Sequence, residues 1–463
     1  MRLQVYFDLG TIVLEGAQGV FDRLQELKEL HFDKRTLQWR LPANAYRELV
    51  TLCRKESIEL VDKVRAYETL DLNLAQPIIP REHQSLALEA WQKTGGLGVV
   101  SLPTGAGKTI LAVLAIATIK RSTLVVVPTI DLLMQWREIL QRFFARDIGA
   151  YGGGEKSLKA ITVSTYDSAH MIIESYGHKF GLIVFDECHH LPSPQYQLIA
   201  KACIAPYKLG LSATVERSDG KEELIYELLG PLVYEGLIGQ MVSKVLAPYD
   251  VVSVEVPLSD AEREAYTTAR AVYTGFIKKY RIDMRGRDGW GQFIRNTAIM
   301  PDGKRAMTAY REQKRLAQAS SGKIEHLWKI LNEHKGERII IFTNDNDLAY
   351  QIGREYILPV LTHQTKAKER KMMLESFRSG DIDILVTSKV LNEGVDVPEA
   401  SVGVVVSGSA TVREHVQRLG RILRHKQGKR AMLYELISQN TSEYYVNKRR
   451  RMHHAYQRPS EIH

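Results

Sequence analysis

A chain of 463 residues has room for about three domains. With 44% hydrophobic and 25% charged residues its composition is that of a globular protein, which excludes a disordered or fibrous chain. It has no apolar run of the ~18 residues that a membrane span needs, so no membrane partner is expected. Met1-Arg2-Leu3-Gln4-Val5 lacks the apolar core of a signal peptide. Cys53, Cys188 and Cys203 are too few and too scattered for a disulfide framework or a zinc site. A reducing, intracellular setting is therefore expected, and the net charge of +9 favours a polyanionic partner.

Residues 1–75 read as a small α/β module. Two β-rich runs, 3–7 and 11–15, flank Asp8-Leu9-Gly10, a hairpin signal with glycine at the turn. A helical pattern follows over 44–55, and no chemistry-bearing motif is visible. Pro77-Ile78-Ile79-Pro80 punctuates the chain and marks a boundary.

Over 76–235 short β-branched runs alternate with helical segments. Strands are expected at 98–102, 123–127, 160–164, 182–185 and 209–212, the rhythm of a parallel sheet covered by helices. Leu102-Pro103-Thr104-Gly105-Ala106-Gly107-Lys108-Thr109 stands after the first of these strands, and a helical run follows it. Glycines let backbone N–H groups close on phosphate oxygens, and a helix N-terminus adds positive potential. Thr104, Gly105, Ala106 and Gly107 would form the cradle, Lys108 would reach the β- and γ-phosphates, and the Thr109 hydroxyl would hold Mg²⁺. The eight-residue pattern has glycine at its first position, where this chain has Leu102.

Asp186-Glu187-Cys188-His189 directly follows the strand expected at 182–185. Ligands of open parallel sheets sit beyond the carboxyl ends of the strands. Asp186 is there to hold Mg²⁺, and Glu187 is the candidate base for an attacking water. A solvated polar strand end is the competing reading. Cys188 reads as a small buried residue and His190 as structural, whereas His189 follows the carboxylates directly.

Residues 236–255 read as a connector. The stretch 255–320 reads as helices rich in Lys and Arg with interspersed aromatics, among them Phe276, Tyr280, Trp290, Phe293 and Tyr310. Such a segment either meets nucleic acid through phosphates and stacked bases or is a helical hairpin whose aromatics form its own core; both readings stand. A second strand–helix alternation runs to about 440, with strands expected at 338–342, 358–361, 382–387, 403–407 and 432–436. It has no phosphate loop. Gln417, Arg421 and Arg424 are spaced by four and three, which places them on one helix face. Two guanidiniums there would suit a phosphoryl group whose charge must be neutralised in transfer. The tail, 441–463, carries Lys448-Arg449-Arg450-Arg451, a charge run that reads as a solvated helix or arm.

Together these segments resemble the ordered motifs of a superfamily 2 helicase over about 80–440. The motifs run in that family's order: Gln84 in Arg81-Glu82-His83-Gln84, the phosphate loop, Val127-Pro128-Thr129, Ser164-Thr165-Tyr166-Asp167, Asp186-Glu187-Cys188-His189, Ser212-Ala213-Thr214, residues 392–396 and residues 417–424. More narrowly, Thr162-Val163-Ser164-Thr165-Tyr166-Asp167-Ser168, Arg418-Leu419-Gly420-Arg421-Ile422-Leu423-Arg424 and Tyr434-Glu435-Leu436-Ile437-Ser438 are similar to the archaeal XPB family, relatives of the translocase subunit of TFIIH. The resemblance implies two RecA-like parallel-sheet motor domains in tandem, at 76–235 and 236–440. It also implies a small N-terminal domain like damage-recognition modules at 1–75 and a thumb-like helical insertion at 255–320. It implies an ATP-dependent 3′–5′ DNA helicase or translocase of nucleotide excision repair and transcription, with ATP and Mg²⁺ as cofactors. Gln84, Asp396 and Gln417 would bind nucleotide, Arg421 and Arg424 would reach the γ-phosphate, and Thr129, Thr165 and Asn392 would contact nucleic acid. The family's Arg-Glu-Asp motif, implicated in opening DNA, reads Arg217-Ser218-Asp219 here, so Arg217 and Asp219 remain while the central glutamate is replaced. A nuclease partner is expected from the same resemblance. An RNA helicase, or an ATP-gated scaffold that recruits a nuclease, are the rival readings.

Overall fold

The computed structural model describes residues 1–213, 220, 222–236, 249–284, 286, 288–388, 400–407 and 431–444. It divides into two compact units, Met1–Gly236 and Leu237–His463. Among the described residues no helix is long and apolar enough to cross a membrane.

The first unit begins with the hairpin expected from the sequence. Strands β1 (Arg2–Asp8) and β2 (Thr11–Gly16) pair antiparallel. Leu9 and Gly10 have φ of 42° and 78°, the pair of left-handed residues that a two-residue hairpin turn demands. Helix α1 (Gln18–Arg23), strands β3 (His31–Asp33) and β4 (Gln38–Pro42), helix α2 (Tyr46–Lys55) and strand β5 (Glu59–Lys63) complete a sheet of order β3-β4-β2-β1-β5. Alternate residues Leu3, Val5, Ile12 and Leu14 point inward with Leu49 and Leu52 of α2, as a sheet with one buried face requires. After β5 the chain does not swing free. Ala66 N donates to His178 O at 3.1 Å, Leu70 N to Lys120 O at 2.9 Å and Ala75 N to Phe143 O at 2.7 Å. Arg47 Nη1 reaches Gly95 O at 3.0 Å and Pro206 O at 3.2 Å. The N-terminal module is thereby tied to the sheet that follows.

That sheet is built from α3 (Glu82–Lys93), β6 (Leu97–Ser101), α4 (Lys108–Ile119), β7 (Thr123–Val127), α5 (Ile130–Phe144), β8 (Gly149–Gly152), β9 (Glu155–Lys156), β10 (Ile161–Thr165), α6 (Tyr166–Tyr176), β11 (Leu182–Asp186), α7 (Gln197–Lys201), β12 (Tyr207–Ser212), α8 (Glu222–Leu229) and β13 (Leu232–Glu235). The strand order is β13-β6-β12-β11-β7-β10-β8-β9, parallel except for β9. The central strands β7 and β11 are buried along their whole length, which is why they read as continuous apolar runs. The five expected strands are present, each displaced by two residues or fewer. The glycine-rich β8 and the short β9 and β13 lack such a run and were not foreseen.

The described residues of the second unit begin with β14 (Tyr249–Val256), then α9 (Asp260–Lys279), α10 (Gly289–Ile299), α11 (Gly303–Gln318) and α12 (Ser321–Glu333). It continues with β15 (Ile339–Phe342), α13 (Asn346–Tyr356), β16 (Val360–Leu361), α14 (Ala367–Ser379), β17 (Ile384–Thr387), β18 (Val402–Val405) and β19 (Ala431–Ser438). The order is β14-β19-β18-β15-β17-β16, parallel throughout. β14 corrects the connector expected at 236–255. It pairs with β19 from Tyr249↔Ala431 to Val256↔Ser438, and so distant a partner leaves no local signal.

Helices α9 to α11 form the insertion. A capping box starts α9: Ser259 Oγ accepts from Glu262 N at 3.3 Å and Ser259 N donates to Glu262 Oε2 at 3.0 Å. The same glutamate accepts from Ser321 N at 2.8 Å, joining the starts of α9 and α12. The two readings of the aromatics are resolved by packing. Tyr273, Phe276, Phe293 and Tyr310 meet one another at ring separations of 5.3 to 6.0 Å, and Phe276 and Phe293 are buried. They are the insertion's own core. Trp290 lies at the edge of the cluster, 47% exposed.

Candidate active site

The phosphate loop joins β6 to α4. Gly105 and Gly107 have φ of 87° and 90°, a region where a side chain is strained. A Cβ on Gly107 would also collide with the Gln84 amide. Leu102 is fully buried and needs no left-handed backbone, which explains how this chain does without glycine there. Lys108 Nζ donates to Leu102 O at 3.1 Å and lies 3.9 Å from Glu187 Oε1. Thr109 is half-buried in the first turn of α4. The Thr104 hydroxyl is buried with no hydrogen-bond partner among the described residues.

The first turn of α3 braces this loop. Gln84 Oε1 accepts from Arg81 N at 2.9 Å, and its Nε2 donates to Gly107 O at 3.2 Å and Ala106 O at 3.4 Å. His83 Nε2 donates to Ala106 O at 2.8 Å. The Gln84 amide is thus engaged at both ends with backbone. His83 does similar work and was missed by the sequence reading. It stands in the same short phrase as Gln84, the one signal that could have found it.

The carboxylates lie at the end of β11. Asp186 and Glu187 are 6% and 8% exposed. Asp186 Oδ2 accepts from Trp136 Nε1 at 2.9 Å, and Oδ1 accepts from Glu187 N at 3.1 Å. Tyr166 OH donates to Asp186 O at 3.0 Å. Burial first, and then the charge of Glu187, push Asp186 up to about 6, against the pull of Lys108 and Trp136. Glu187 has φ of 49°, a left-handed conformation that costs a non-glycine residue about 1–2 kcal/mol. Its Oε2 lies 3.3 Å from His189 Nδ1, which also lies 3.2 Å from Ser212 Oγ at the end of the neighbouring β12. His189 therefore joins the carboxylate turn to the start of Ser212-Ala213-Thr214. Cys188 is fully buried and burial holds its thiol far above the ordinary range, so it is a packing group. His190 packs against Tyr166 with centroids 5.7 Å apart.

Asp186 with the Thr109 hydroxyl would hold a divalent cation: burial first, and then the charge of Glu187, raise the Asp186 pKa, and positive charge there would relieve both. Trp136 was not anticipated. It falls among Leu133, Leu140, Phe143 and Phe144 on the buried face of α5, where it reads as core. The clue was its indole N–H, a donor that burial obliges to find a partner.

Thr129 and Thr165 are helix N-caps. Thr129 Oγ1 accepts from Leu132 N at 3.2 Å, and Thr165 Oγ1 accepts from Ser168 N at 3.3 Å. Because β7 and β10 are paired neighbours, with Val127 opposite Thr165, the N-termini of α5 and α6 open on one edge of the sheet. The structure thus brings Gln84, residues 102–109, Asp186 and Glu187 together, with the two caps on the same sheet edge. Arg217, Asp219, Asn392, Asp396, Gln417, Arg421 and Arg424 lie outside the described residues.

Comparison with known proteins gives three family matches. Residues 5–64 match the xeroderma pigmentosum group B helicase damage recognition domain, 77–217 the type III restriction enzyme res subunit, and 322–426 the helicase conserved C-terminal domain. The DNA 3′–5′ translocase XPB2 of Sulfurisphaera tokodaii is 39% identical over 90% of this chain and 95% of its own length. The DNA 3′–5′ helicase XPB of Kineococcus radiotolerans is 33% identical over 78% of this chain, which spans 60% of that longer protein. In fold, the chain is similar to the Hef helicase domain of Pyrococcus furiosus, with a TM-score of 0.53 and 19% identity over 80% of this chain and 98% of that one.

Proposed function

The chain belongs to the XPB family of DNA helicases and translocases, and on that premise we propose how it works as an ATP-driven 3′–5′ motor that opens DNA in repair. The observation that carries the reading is the approach of Lys108 Nζ to Glu187 Oε1, 3.9 Å apart beyond the carboxyl ends of β6 and β11, the two strands that flank β12 in the parallel sheet. Backbone N–H groups of 105–109 and the Lys108 ammonium bind the triphosphate. Glu187 accepts the proton of the attacking water. Thr109 and Asp186 would hold Mg²⁺, which when bound supplies positive charge to the phosphates. His189 holds the Glu187 carboxylate in position, and Gln84 and His83 keep the loop in shape. Arg421 and Arg424 neutralise charge developing on the γ-phosphate, and Asp396 and Gln417 contribute to nucleotide binding.

DNA is held through its backbone by Thr129, Thr165 and Asn392, with Arg217 and Asp219 acting where the strands part. Phosphate contacts carry no sequence information, so binding is sequence-tolerant and salt-sensitive. The test is ATP turnover alone, with forked DNA and with RNA. DNA-stimulated turnover supports the reading, and stimulation by RNA in preference to DNA overturns it. Arg421→Ala should retain ATP binding and lose hydrolysis; normal hydrolysis would refute its role. A nuclease partner is tested by adding a candidate nuclease to the unwinding assay, where an increase in opened DNA is expected.

A further inference from the structure

Thr165 ends β10 and caps α6, and the residue after it turns inward. Tyr166 is 2% exposed, although it opens a helix at the edge where Thr129 and Thr165 stand. In the sheet β7 separates β10 from β11, so the Tyr166 side chain crosses one strand to reach the carboxylate turn. Its hydroxyl lies 3.0 Å from Asp186 O and 3.4 Å from Glu187 O. A phenol facing two carbonyls can only donate, and its one proton serves both.

Those two carbonyls flank the Cα of Glu187. Between them lie the φ and ψ that place Glu187 in the left-handed region, 49° and 53°. Such a conformation persists only where neighbouring groups hold it. His190 N also donates to Glu187 O, at 3.1 Å, but from within the turn itself. Tyr166 holds the same backbone from a different helix. The segment that leaves the carboxylates then folds back on the first turn of α6. Tyr166 meets the rings of His190 and Tyr196 with centroids 5.7 and 5.1 Å apart, and Tyr196 OH donates to Asp167 Oδ1 at 2.7 Å. The start of α6 and the turn after β11 are therefore packed as one piece.

We propose that Tyr166 is a positioning residue that carries the state of the Thr165 cap to Glu187, by fixing the two carbonyls that flank this left-handed residue and so aiming its carboxylate. This rests on the reading of the chain as a DNA motor in which Thr165 meets the backbone of the strand. A phosphate on the open N–H groups at the start of α6 fixes the first turn of that helix. The Tyr166 hydroxyl is then held against Asp186 O and Glu187 O, and the Glu187 carboxylate stays where it accepts the proton of water. Without DNA the helix start is freer to fray, and the carboxylate is aimed less well. Turnover rises on DNA binding for that reason.

The test compares ATP turnover of the full chain with and without saturating forked DNA. Tyr166→Phe keeps the ring and removes the donor. Its stimulation ratio, turnover with DNA over turnover without, is expected to fall about tenfold, the scale of one lost bond to a buried acceptor, while affinity for forked DNA without nucleotide stays within about twofold. The ratio does not depend on the fraction of molecules folded, so a destabilised variant still reports. Tyr196→Phe removes the neighbouring bond to Asp167 and leaves both carbonyls bonded, and it is expected to keep the wild-type ratio. A wild-type ratio in Tyr166→Phe overturns the proposal, including the case in which both rates fall equally, which marks a merely structural hydroxyl. An equal loss of the ratio in Tyr196→Phe also overturns it, since the packing and not the Tyr166 donor would then carry the effect. If the wild type shows no DNA-stimulated turnover, the motor reading itself fails; if it does and Tyr166→Phe keeps the ratio, only the assignment to Tyr166 fails.

Discussion

Each of the two units sets a lysine against a glutamate, and the two pairs are built differently. In the second unit Lys323 is fully buried. Its Nζ lies 2.6 Å from Glu443 Oε2 and donates to Val406 O at 2.8 Å, while Glu443 Oε2 also accepts from Ser438 N at 3.1 Å. Burial draws the Lys323 pKa down, and the facing carboxylate partly restores it. In the first unit Lys108 keeps 11% of its side chain exposed, bonds the first carbonyl of its own loop at 3.1 Å, and stands 3.9 Å from Glu187. A lysine that must yield its contacts to a phosphate is held loosely. A lysine that fixes a sheet edge is sealed: Lys323 fastens the end of β18 to the chain after β19.

Truncating each lysine breaks the comparison in opposite ways. Lys108→Ala should reduce ATP turnover by about a thousandfold, because the charge meeting the β- and γ-phosphates is gone. Its thermal midpoint should shift by only a few degrees. Lys323→Met should behave in reverse. It leaves Glu443 buried without its cation, a loss of about 3–5 kcal/mol of stability by chemical denaturation. The double variant Lys323→Met with Glu443→Leu should recover most of that loss, since a buried pair replaced together by apolar groups is close to neutral. A Lys323→Met protein as stable as wild type would show that the seal contributes little.

The same contrast governs what could be read from the chain. Lys108 lies in a phrase whose spacing encodes its role, with glycines for left-handed turns and then lysine at the helix start. The apolar runs of β7 and β11 likewise announce strands buried on both faces. Lys323 has no such phrase. Its partners, Val406 and Glu443, are far along the chain, so nothing local marks it as buried. β14 is invisible for the same reason, since it is a strand by virtue of β19. The aromatics at 255–320 show the limit from another side. Their spacing suits either a core or a nucleic-acid face, and only the contacts of Phe276 with Phe293 decide it. At the site, the side chains proposed to perform chemistry stand in recognisable short phrases, whereas those that hold them, His83 and Trp136, do not. Supporting groups are chosen by geometry across elements, which no short pattern records.

Trp136→Phe probes that supporting layer and should have the smallest effect of the three. Phenylalanine keeps the ring on the buried face of α5 beside Leu133 and Leu140 but removes the N–H that Asp186 Oδ2 accepts at 2.9 Å. A buried carboxylate that loses a donor is destabilised by about 1–3 kcal/mol. Asp186 still accepts from Glu187 N at 3.1 Å, which places the change toward the lower figure. Because the lost bond orients a carboxylate and does not touch the triphosphate cradle, kcat should fall about tenfold while KM for ATP stays within about twofold. A parallel rise in KM would mean that Trp136 supports the phosphate loop as well. An unchanged kcat would mean that the carboxylate turn, held by Tyr166 and the Glu187 backbone, keeps its own geometry without the indole.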